Sequence, residues 1–273
     1  MTPAPRIEFG EVTRSEDAAP GVALLGIRAP YIARNYRPGC FVHMRTGEST
    51  LLRRPFSITR VIGDELLFLY RIIGVGTEWM RARRRGDEVD LMGPIGNVFD
   101  LRVDAERTLL VGGGLGIAPL LGVAEALRDA GAEGPIESLL GIRSAGDVFG
   151  PSLTEGVPNL EWRLATDDGS EGFHGNAVQL LDQRLEEIGA DAWPGLAVYA
   201  AGPEPMLEAA AHVCLARNLD LQVSMEAHMG CAMGACRACG VVTWKDESRI
   251  NGRVCKEGPV FDANEILWEG VGR

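Results

Sequence analysis

Four cysteines toward the C-terminal end constrain this chain more than any other feature. Three form a Cys-x4-Cys-x2-Cys loop and the fourth follows after fifteen intervening residues: Cys231, Cys236, Cys239 and Cys255. This is the plant-type ligand spacing for a 2Fe–2S cluster. Two bridged irons need four thiolates from different directions, so the chain must fold back to bring the fourth cysteine to the loop. The spacing therefore predicts a cluster that carries single electrons.

Other uses of the cysteines remain open from the sequence. A structural zinc site would more naturally use two Cys-x2-Cys or Cys/His pairs, whereas only Cys236 and Cys239 form such a pair. A disulfide framework is typical of small secreted domains rather than of a chain of 273 residues. The remaining cysteines, Cys40 and Cys214, lie in apolar segments and are expected to be inert core residues.

Length and charge narrow the class of protein. The chain is long enough for two domains and an appendage. Its net charge of −11 argues against a nucleic-acid partner, because phosphates require a basic face. No stretch approaches the roughly 18 apolar residues of a membrane span, and no leader-like N-terminal segment is recognised. We therefore expect a cytoplasmic protein with neither nucleic-acid nor membrane partners.

Residues 1–101 are predicted to form an antiparallel β-barrel. Short apolar strands recur there between Gly, Pro and Asp residues, which is typical of a closed barrel. The predicted strands are 21–28, 40–45, 55–62, 65–73 and 87–92. The run RARRR at 81–85 is the most basic in the chain. It is expected to be a solvated helix end, or alternatively a patch that faces phosphate or an acidic partner.

From residue 102 to 222 the pattern changes to alternating strands and helices, which predicts a parallel α/β nucleotide-binding domain. Segment 108–128 reads as a buried strand, a glycine turn and a helix, and the further strands are 136–142, 160–166 and 197–201. Residues 223–273 form the predicted cluster-binding region. The predicted fold class is thus a β-barrel plus an α/β domain, with a C-terminal 2Fe–2S loop.

A glycine-rich turn at 112–116 lies between the first strand and helix of the α/β domain. Bare backbone at a helix N-terminus suits a pyrophosphate. The pattern departs from Gly-x-Gly-x-x-Gly, because Pro119 occupies the last position. A simple tight turn is the alternative.

Two short segments of the barrel suggest a flavin. In RPFS, Arg54 can neutralise a diphosphate, Phe56 offers an aromatic face and Ser57 a hydroxyl donor. In GVGT at 74–77, two glycines free backbone N–H groups for a phosphate. Thr77 is expected to cap a helix that begins at residue 78. Each segment alone is ordinary strand or turn chemistry.

Together these motifs resemble the ferredoxin–NADP reductase superfamily and, within it, the electron-transfer subunits of class 1B dihydroorotate dehydrogenases. The resemblance runs nearly end to end. It rests on RPFSI from Arg54, GVGT from Gly74, GPIGN from Gly93, GGGLGIAP from Gly112, TDDGS from Thr166, YAAGP from Tyr199, the cysteine loop, and VCKEGPVF from Val254. Two positions depart from the superfamily pattern: Ala201 replaces a Cys that many members carry before Gly-Pro, and Phe56 replaces a Tyr.

The resemblance implies the residues that hold each cofactor. FAD would be held by Arg54, Pro55, Phe56, Ser57, Tyr70, Arg71, Gly74, Gly76 and Thr77. NAD would be held by Gly114, Gly116, Gly202 and Pro203, with Asp167 and Asp168 nearby, and the cluster by the four cysteines of the loop. No side chain is expected to perform acid–base catalysis.

The resemblance also implies a function in pyrimidine biosynthesis. A partner subunit with FMN would oxidise dihydroorotate to orotate, and electrons would pass through the cluster and FAD to NAD+, in a heterotetramer. Flavin is needed because a hydride carries two electrons while the cluster accepts one. The cysteine loop and the tail at 261–268 are the expected partner interface.

Two alternatives remain. The same module could serve a hydrogenase or a bifurcating ferredoxin–NADP reductase complex, although such bifurcating enzymes replace the first cluster ligand with Asp where this chain has Cys231. A redox-sensing module is the second alternative.

Overall fold

The computed structural model describes residues 4–48, 50–148, 157, 159–245 and 248–268. Its N-terminal half holds β1 (Arg6–Ala19), β2 (Val22–Arg28), α1 (Pro30–Arg34), β3 (Phe41–Met44), β4 (Arg54–Ser57), β5 (Arg60–Ile62), β6 (Glu65–Arg71), α2 (Val75–Arg81) and β7 (Glu88–Ile95). The seven strands form one antiparallel sheet in the order β4-β3-β7-β1-β2-β6-β5.

This first sheet is curled into a barrel. Strands β4 and β5 lie at opposite ends of the strand order, yet only Ile58 and Thr59 join them. Ser57 and Arg60 are three residues apart and can be separated by at most about 11 Å, so the two ends of the sheet must lie close together. Apolar side chains such as Leu25 and Phe68 fill the interior. The predicted antiparallel barrel is confirmed.

Two details of the barrel differ from the sequence prediction. The single strand expected at 55–62 is two strands, because the chain turns at Thr59, whose hydroxyl accepts a hydrogen bond from the Leu69 N–H at 2.9 Å. The long strand β1 was not predicted. Only Gly10 and Val12 are buried along it, so its sequence lacks the apolar alternation of a half-buried strand.

The second half holds β8 (Arg107–Gly113), α3 (Ile117–Asp129), β9 (Ile136–Ile142), β10 (Leu160–Thr166), β11 (Phe173–His174), α4 (Ala177–Ile188), β12 (Leu196–Ala201), α5 (Glu204–Leu215), β13 (Leu221–Ser224), β14 (Gly240–Lys245), β15 (Ser248–Arg253) and β16 (Val260–Asp262). The sheet order is β11-β10-β9-β8-β12-β13-β16, and β14 and β15 form a separate hairpin. Among the described residues, no helix is long and apolar enough to cross a membrane.

The second sheet is parallel except for β16, which pairs antiparallel with β13. Strand β16 comes from the C-terminal region, so that region is joined to the α/β sheet by backbone hydrogen bonds. The carboxyl ends of β8, β9, β10 and β12 lie along one edge, where ligands bind in open α/β sheets. The α/β fold class is confirmed, while the residue boundaries of the domains stay a prediction.

A buried ion pair fixes the barrel against α3. Arg60 of β5 reaches Glu125 of α3, with Nη2 and Oε1 2.5 Å apart. Close by, the Tyr36 hydroxyl lies over Gly122, where a Cβ would come within 2.1 Å of it. The contact requires glycine at residue 122, and it holds the two halves in one arrangement.

At the other end of the second sheet, Glu137 of β9 is fully buried among three arginines. Arg107 of β8 hydrogen-bonds one carboxylate oxygen, and the Arg163 and Arg184 Nε atoms lie 2.7 Å from the other. Burial alone would raise the pKa of this carboxyl, but hydrogen bonds from Arg184 and Arg107 outweigh it and hold the pKa below its usual value of 4.5. This cluster ties two neighbouring strands and α4 to the centre of the sheet.

Candidate functional site

The hairpin β14–β15 brings the fourth cysteine to the cysteine loop. It begins directly after Cys239 and ends two residues before Cys255, and Gly240 pairs with Arg253 at its base. The Val254 N–H then donates to the Cys239 carbonyl at 2.8 Å. The two ends of the hairpin therefore place Cys255 beside Cys239.

The four thiols converge as two pairs. Cys231 lies in side-chain contact with Cys236, and Cys255 with Cys239. None of the six cysteines forms a disulfide. Cys239 and Cys255 are buried, whereas Cys236 is exposed. The predicted ligands are thus brought together, with one side of the loop open to the surface.

The two pairs of thiols, Cys231 with Cys236 and Cys255 with Cys239, match the needs of a two-iron cluster. A bridged pair of irons needs two thiolates at each iron.

The environment of the thiols also fits a metal cluster. The Cys236 and Met233 N–H groups each lie 3.4 Å from the Cys231 Sγ, and they lower the pKa of that thiol to about 6. Burial, followed by the neighbouring Cys239, raises the pKa of Cys255 to about 12. A buried thiolate at Cys255 therefore needs the positive charge of a metal.

The predicted flavin residues lie on β4, on β6 and at the start of α2. Among the described strands β4 pairs only with β3, and its Arg54 and Ser57 side chains are exposed. The Phe56 ring meets the Tyr70 ring edge-on, with centroids 6.4 Å apart. The Tyr70 hydroxyl is buried and has no hydrogen-bond partner among the described residues. A buried hydroxyl that lacks a partner fits a site where a polar ligand supplies one.

The turn before α2 differs in detail from the prediction. Helix α2 begins at Val75, three residues earlier than expected, so Thr77 lies within its first turn. The Thr77 hydroxyl accepts hydrogen bonds from the Ile73 and Gly74 N–H groups at 2.9 and 3.2 Å. Thr77 therefore stabilises the turn from inside the helix. Nothing lies within 4 Å of where a Gly74 Cβ would be, so one side of this turn is open.

The predicted nucleotide residues line one cavity of about 470 Å³ at the carboxyl edge of the second sheet. The residues Gly114, Gly116, Gly202 and Pro203 all contribute to it. A Cβ at Gly116 would come within 2.2 Å of the Ala201 carbonyl oxygen, so the two turns touch through bare backbone. Gly114 has a φ of +53° and an open side. The cavity thus offers exposed backbone at a helix N-terminus, which suits a pyrophosphate.

Three further residues bear on the choice of nucleotide. Asp167 and Arg143 both line the cavity, whereas Asp168 instead accepts hydrogen bonds from the Ser170 N–H and hydroxyl at 2.9 and 2.5 Å. Of the two predicted aspartates, only Asp167 is therefore placed to meet a bound nucleotide.

Arg71 and Glu226 lie where the predicted flavin region, the nucleotide cavity and the cysteine loop approach one another in sequence or in space. Arg71 was predicted to contact FAD, yet it lines the nucleotide cavity, as does Glu226. Glu226 was missed by the sequence analysis. Its side chain remains open to solvent along the cavity, but the surrounding protein removes part of its water and raises the pKa of the carboxyl. Glu226 lies between β13 and the cysteine loop, so one short segment connects the cavity to the loop.

His43 is the second residue that sequence reasoning missed. It is buried on β3, pairs in register with Pro55 of β4, and lies beside the backbone of Met229 in the cysteine loop. Burial, followed by the charge of Arg53, lowers the pKa of His43 to about 4. A neutral imidazole therefore separates the predicted flavin strand from the cysteine loop. A lone histidine in an apolar strand gives no sequence signal that it will lie beside both the flavin strand and the cysteine loop.

Solved structures share this arrangement of barrel and α/β sheet. The NADH-dependent reduced ferredoxin–NADP oxidoreductase superposes with a TM-score of 0.80 and 25% identity, over 95% of this chain and 90% of that chain. The ferredoxin reductase of carbazole 1,9a-dioxygenase gives a TM-score of 0.68 at 22% identity, over 79% and 67% of the two chains. The fold is that of ferredoxin–NADP reductase-like flavoproteins.

Comparison of sequences gives the family. The iron-sulfur cluster binding domain of dihydroorotate dehydrogenase B matches residues 226–267. The electron transfer subunit of dihydroorotate dehydrogenase B (NAD(+)) from Desulforamulus reducens is 35% identical over 92% of this chain and 94% of its own length. The corresponding subunit from Enterococcus faecalis is 33% identical over 95% and 98%. The chain belongs to the family of dihydroorotate dehydrogenase B electron transfer subunits.

The resemblance drawn from the sequence is therefore confirmed, and so is its electron-transfer function at the level of the family. Fold and family together support the predicted cofactors, which are a 2Fe–2S cluster, FAD and NAD. The role of each individual residue stays a prediction.

Proposed function

We propose that this chain carries electrons from an FMN-containing catalytic subunit, which oxidises dihydroorotate to orotate, to NAD+. The observation that supports it most is the continuity of the three sites on one chain. Segment 225–230 runs from the nucleotide cavity at Glu226 to the cysteine loop, and Met229 lies beside His43 of the barrel. Bound FAD would supply the exchange between two-electron and one-electron transfer.

Each group of residues has a distinct part in this proposal. The four cysteines of the loop would hold the cluster. Arg54 would neutralise the FAD diphosphate, Phe56 would pack against the flavin ring, and the Tyr70 hydroxyl would bond to a polar group of the cofactor. The remaining predicted flavin residues are Pro55 and Ser57 of β4, Gly74, Gly76 and Thr77 of the turn at the start of α2, and Arg71 at the end of β6, which lines the nucleotide cavity.

The nucleotide cavity would hold NAD with its pyrophosphate at Gly114 and Gly116 and its nicotinamide end toward Gly202 and Pro203. In the cavity wall, Asp167 would repel a 2′-phosphate and Arg143 would attract one, so the assignment of NAD rests on the family. No acid–base step is assigned to any side chain. These residues bind and orient the carriers.

The partner would approach at the open side of the cysteine loop. The tail at 261–268 does not offer its aromatic side chains to a partner, because Phe261 and Trp268 are each only 5% exposed. Both rings pack into the core around the loop, so the interface at 261–268 stays a prediction for the exposed side chains of this segment only. A heterotetramer with two catalytic subunits in the cytoplasm is the assembly that we propose.

A bifurcating oxidoreductase is the rival that the structural comparison brings forward, since such an enzyme shares this fold. The first cluster ligand favours the dihydroorotate assignment, because this chain has Cys231 where those bifurcating enzymes are expected to have Asp. The full-length sequence relatives also favour the dihydroorotate assignment.

Anaerobic purification of a tagged chain from its native host tests the proposal. We expect FAD, two irons and two sulfides per chain, together with an FMN-bearing subunit that turns over dihydroorotate. The same cofactors with a different partner would contradict the dihydroorotate assignment and leave the electron-transfer function standing. Zinc in place of iron would contradict the cluster.

Tyr70→Phe is expected to weaken FAD binding and to stabilise the FAD-free protein. In the FAD-free protein the buried hydroxyl lacks a partner, so its removal relieves an unsatisfied group. If FAD supplies that partner, its loss raises the dissociation constant for FAD about tenfold. Flavin fluorescence titration and thermal unfolding of the FAD-free protein measure the two effects. An unchanged FAD affinity would show that the hydroxyl does not contact the cofactor.

A further inference from the structure

A concave surface beside the cysteine loop is basic in an otherwise acidic chain. It is a groove of about 700 Å³ between the hairpin β14–β15 and the segment that follows it. Four cationic residues line this basic groove, and they are Arg237, Lys245, Arg253 and Lys256. The two lysines are the only lysines in the chain.

The positive charge of the groove comes from a short part of the sequence, residues 237–256, in which cationic residues outnumber acidic ones. Residues 237–256 contain five cationic residues and two acidic ones, whereas the whole chain has a net charge of −11. The two acidic residues, Asp246 and Glu247, lie outside the described residues. Two carboxylates also line the groove, Glu257 and Glu265. Of these, Glu257 is bound to the Arg253 guanidinium, with Nε and Oε2 3.0 Å apart.

The lysines are the cations of the groove that remain available to another molecule. Arg253 also donates to the Gly234 carbonyl at 2.7 Å, and Arg237 donates to the Asn251 carbonyl at 3.2 Å, so both arginines help to build the loop. Lys245 and Lys256 are exposed, and neither has a carboxylate partner among the described residues.

The basic groove adjoins the open side of the cysteine loop. Arg237 lies between Cys236 and Cys239, and Lys256 directly follows Cys255. A neighbouring hollow of about 840 Å³ shares Lys256 with the groove and extends to Met233, which is 62% exposed. An apolar centre with a charged rim is the usual composition of a protein interface.

We propose that the basic groove receives an acidic segment of the catalytic subunit, with Lys245 and Lys256 as its principal contacts. This inference rests on the proposed function, since it concerns the partner named there. Most of this acidic chain repels an acidic surface, so beside the cysteine loop the groove is where such a surface would be attracted. The attraction therefore orients the partner toward the cluster before contact, which is the effect of charge complementarity on association.

A folded acidic segment fits the groove better than a nucleic acid does. Glu257 and Glu265 lie among the cations, and they would repel a continuous phosphate backbone. Spaced carboxylates on a protein surface can meet the lysines and avoid the two glutamates.

The test is the rate of association with the FMN-containing catalytic subunit from the same organism. Lys245→Glu and Lys256→Glu together are expected to lower the association rate constant about tenfold at low salt. The effect should largely disappear between about 20 and 200 mM salt, because screening shortens the range of the charges. Iron content, flavin content and NADH–dye activity of the variant should match those of the wild type, since both lysine side chains are exposed and neither is among the residues predicted to hold a cofactor.

The run at 81–85 provides a matched control on a distant surface. Arg81 pairs with Asp17 at 2.8 Å and Arg83 stacks over Trp79, which supports the solvated helix end expected from the sequence. Arg84 and Arg85 are exposed. Charge reversal of these two changes the net charge by the same amount, and it should leave the association rate within about twofold of wild type.

Three results would overturn the inference and leave the proposed function standing. Equal rates for the lysine variant and the wild type would mean that the groove does not guide the partner. An equal fall in the control would mean that only net charge matters. Tight binding of a fluorescent single-stranded oligonucleotide would assign the groove to a different ligand. If the wild-type chain fails to bind the catalytic subunit at all, the proposed partner itself is wrong, and the inference falls with it.

Discussion

Cys236→Ser is expected to stop electron transfer to the partner subunit while FAD stays bound and NADH–dye activity persists. Cys236 pairs with Cys231 at the open side of the loop, so its replacement would remove one of the two cysteine ligands of one iron. The predicted flavin residues lie on β4, β6 and α2, and the nucleotide cavity lies at the second sheet. Neither of these sites includes Cys236.

Iron and sulfide analysis, flavin absorption and NADH–dye turnover are measured beside reduction by the partner subunit. Cys214→Ala is the matched control, because Cys214 is a fully buried thiol of α5 that packs in the core. The Cys214→Ala variant should keep its iron and exchange electrons with the partner subunit at the wild-type rate. Wild-type transfer rates in Cys236→Ser would show that the cluster does not lie on the electron path.

Elements whose signal lies within their own sequence could be predicted, whereas contacts between distant segments could not. Strands β9 and β10 were predicted with the bounds that the structure gives, because β9 is a short, mostly apolar run and β10 begins with alternating apolar and charged residues. Helix α4 was not predicted although its signal was present. Asn176 caps it and Gln179 reaches back to the cap, which is a capping box visible in the sequence.

The residues of the candidate site also fall into those that local sequence patterns predict and those that only the fold reveals. The cysteine spacing and the glycine turn are local patterns whose chemistry depends on neighbours in sequence, so both could be predicted. Arg71, Glu226 and His43 derive their places from segments that meet only in the folded chain. A single sequence does not show which distant segments come into contact in the fold. The burial of the Phe261 and Trp268 rings could not be predicted for the same reason, because exposed and buried aromatic residues look alike in a sequence.

Glu137 is another residue whose importance only the fold reveals, and Glu137→Gln is expected to lower the free energy of unfolding by about 3–5 kcal/mol. The glutamine would leave Arg107, Arg163 and Arg184 around a buried group without charge. Urea unfolding followed by tryptophan fluorescence measures the loss. Glu187→Gln is the matched control, because Glu187 contacts two of the same arginines from an exposed position and should change the midpoint little.

The pH dependence of the free energy of unfolding shows whether Glu137→Gln destabilises the protein by removing the charge or by changing the packing of the side chain. The pKa of the folded-state carboxyl is below its unfolded value of 4.5, so its contribution is complete above that value and is lost as the pH falls through the lower one. The wild type should therefore approach the stability of Glu137→Gln as the solution becomes acidic below about pH 4.5. A difference that stays constant across this range would assign the effect to the shape of the side chain. Equal stability at neutral pH would mean that the arginines find water in place of the carboxylate, and that this cluster does not hold the nucleotide-binding sheet together.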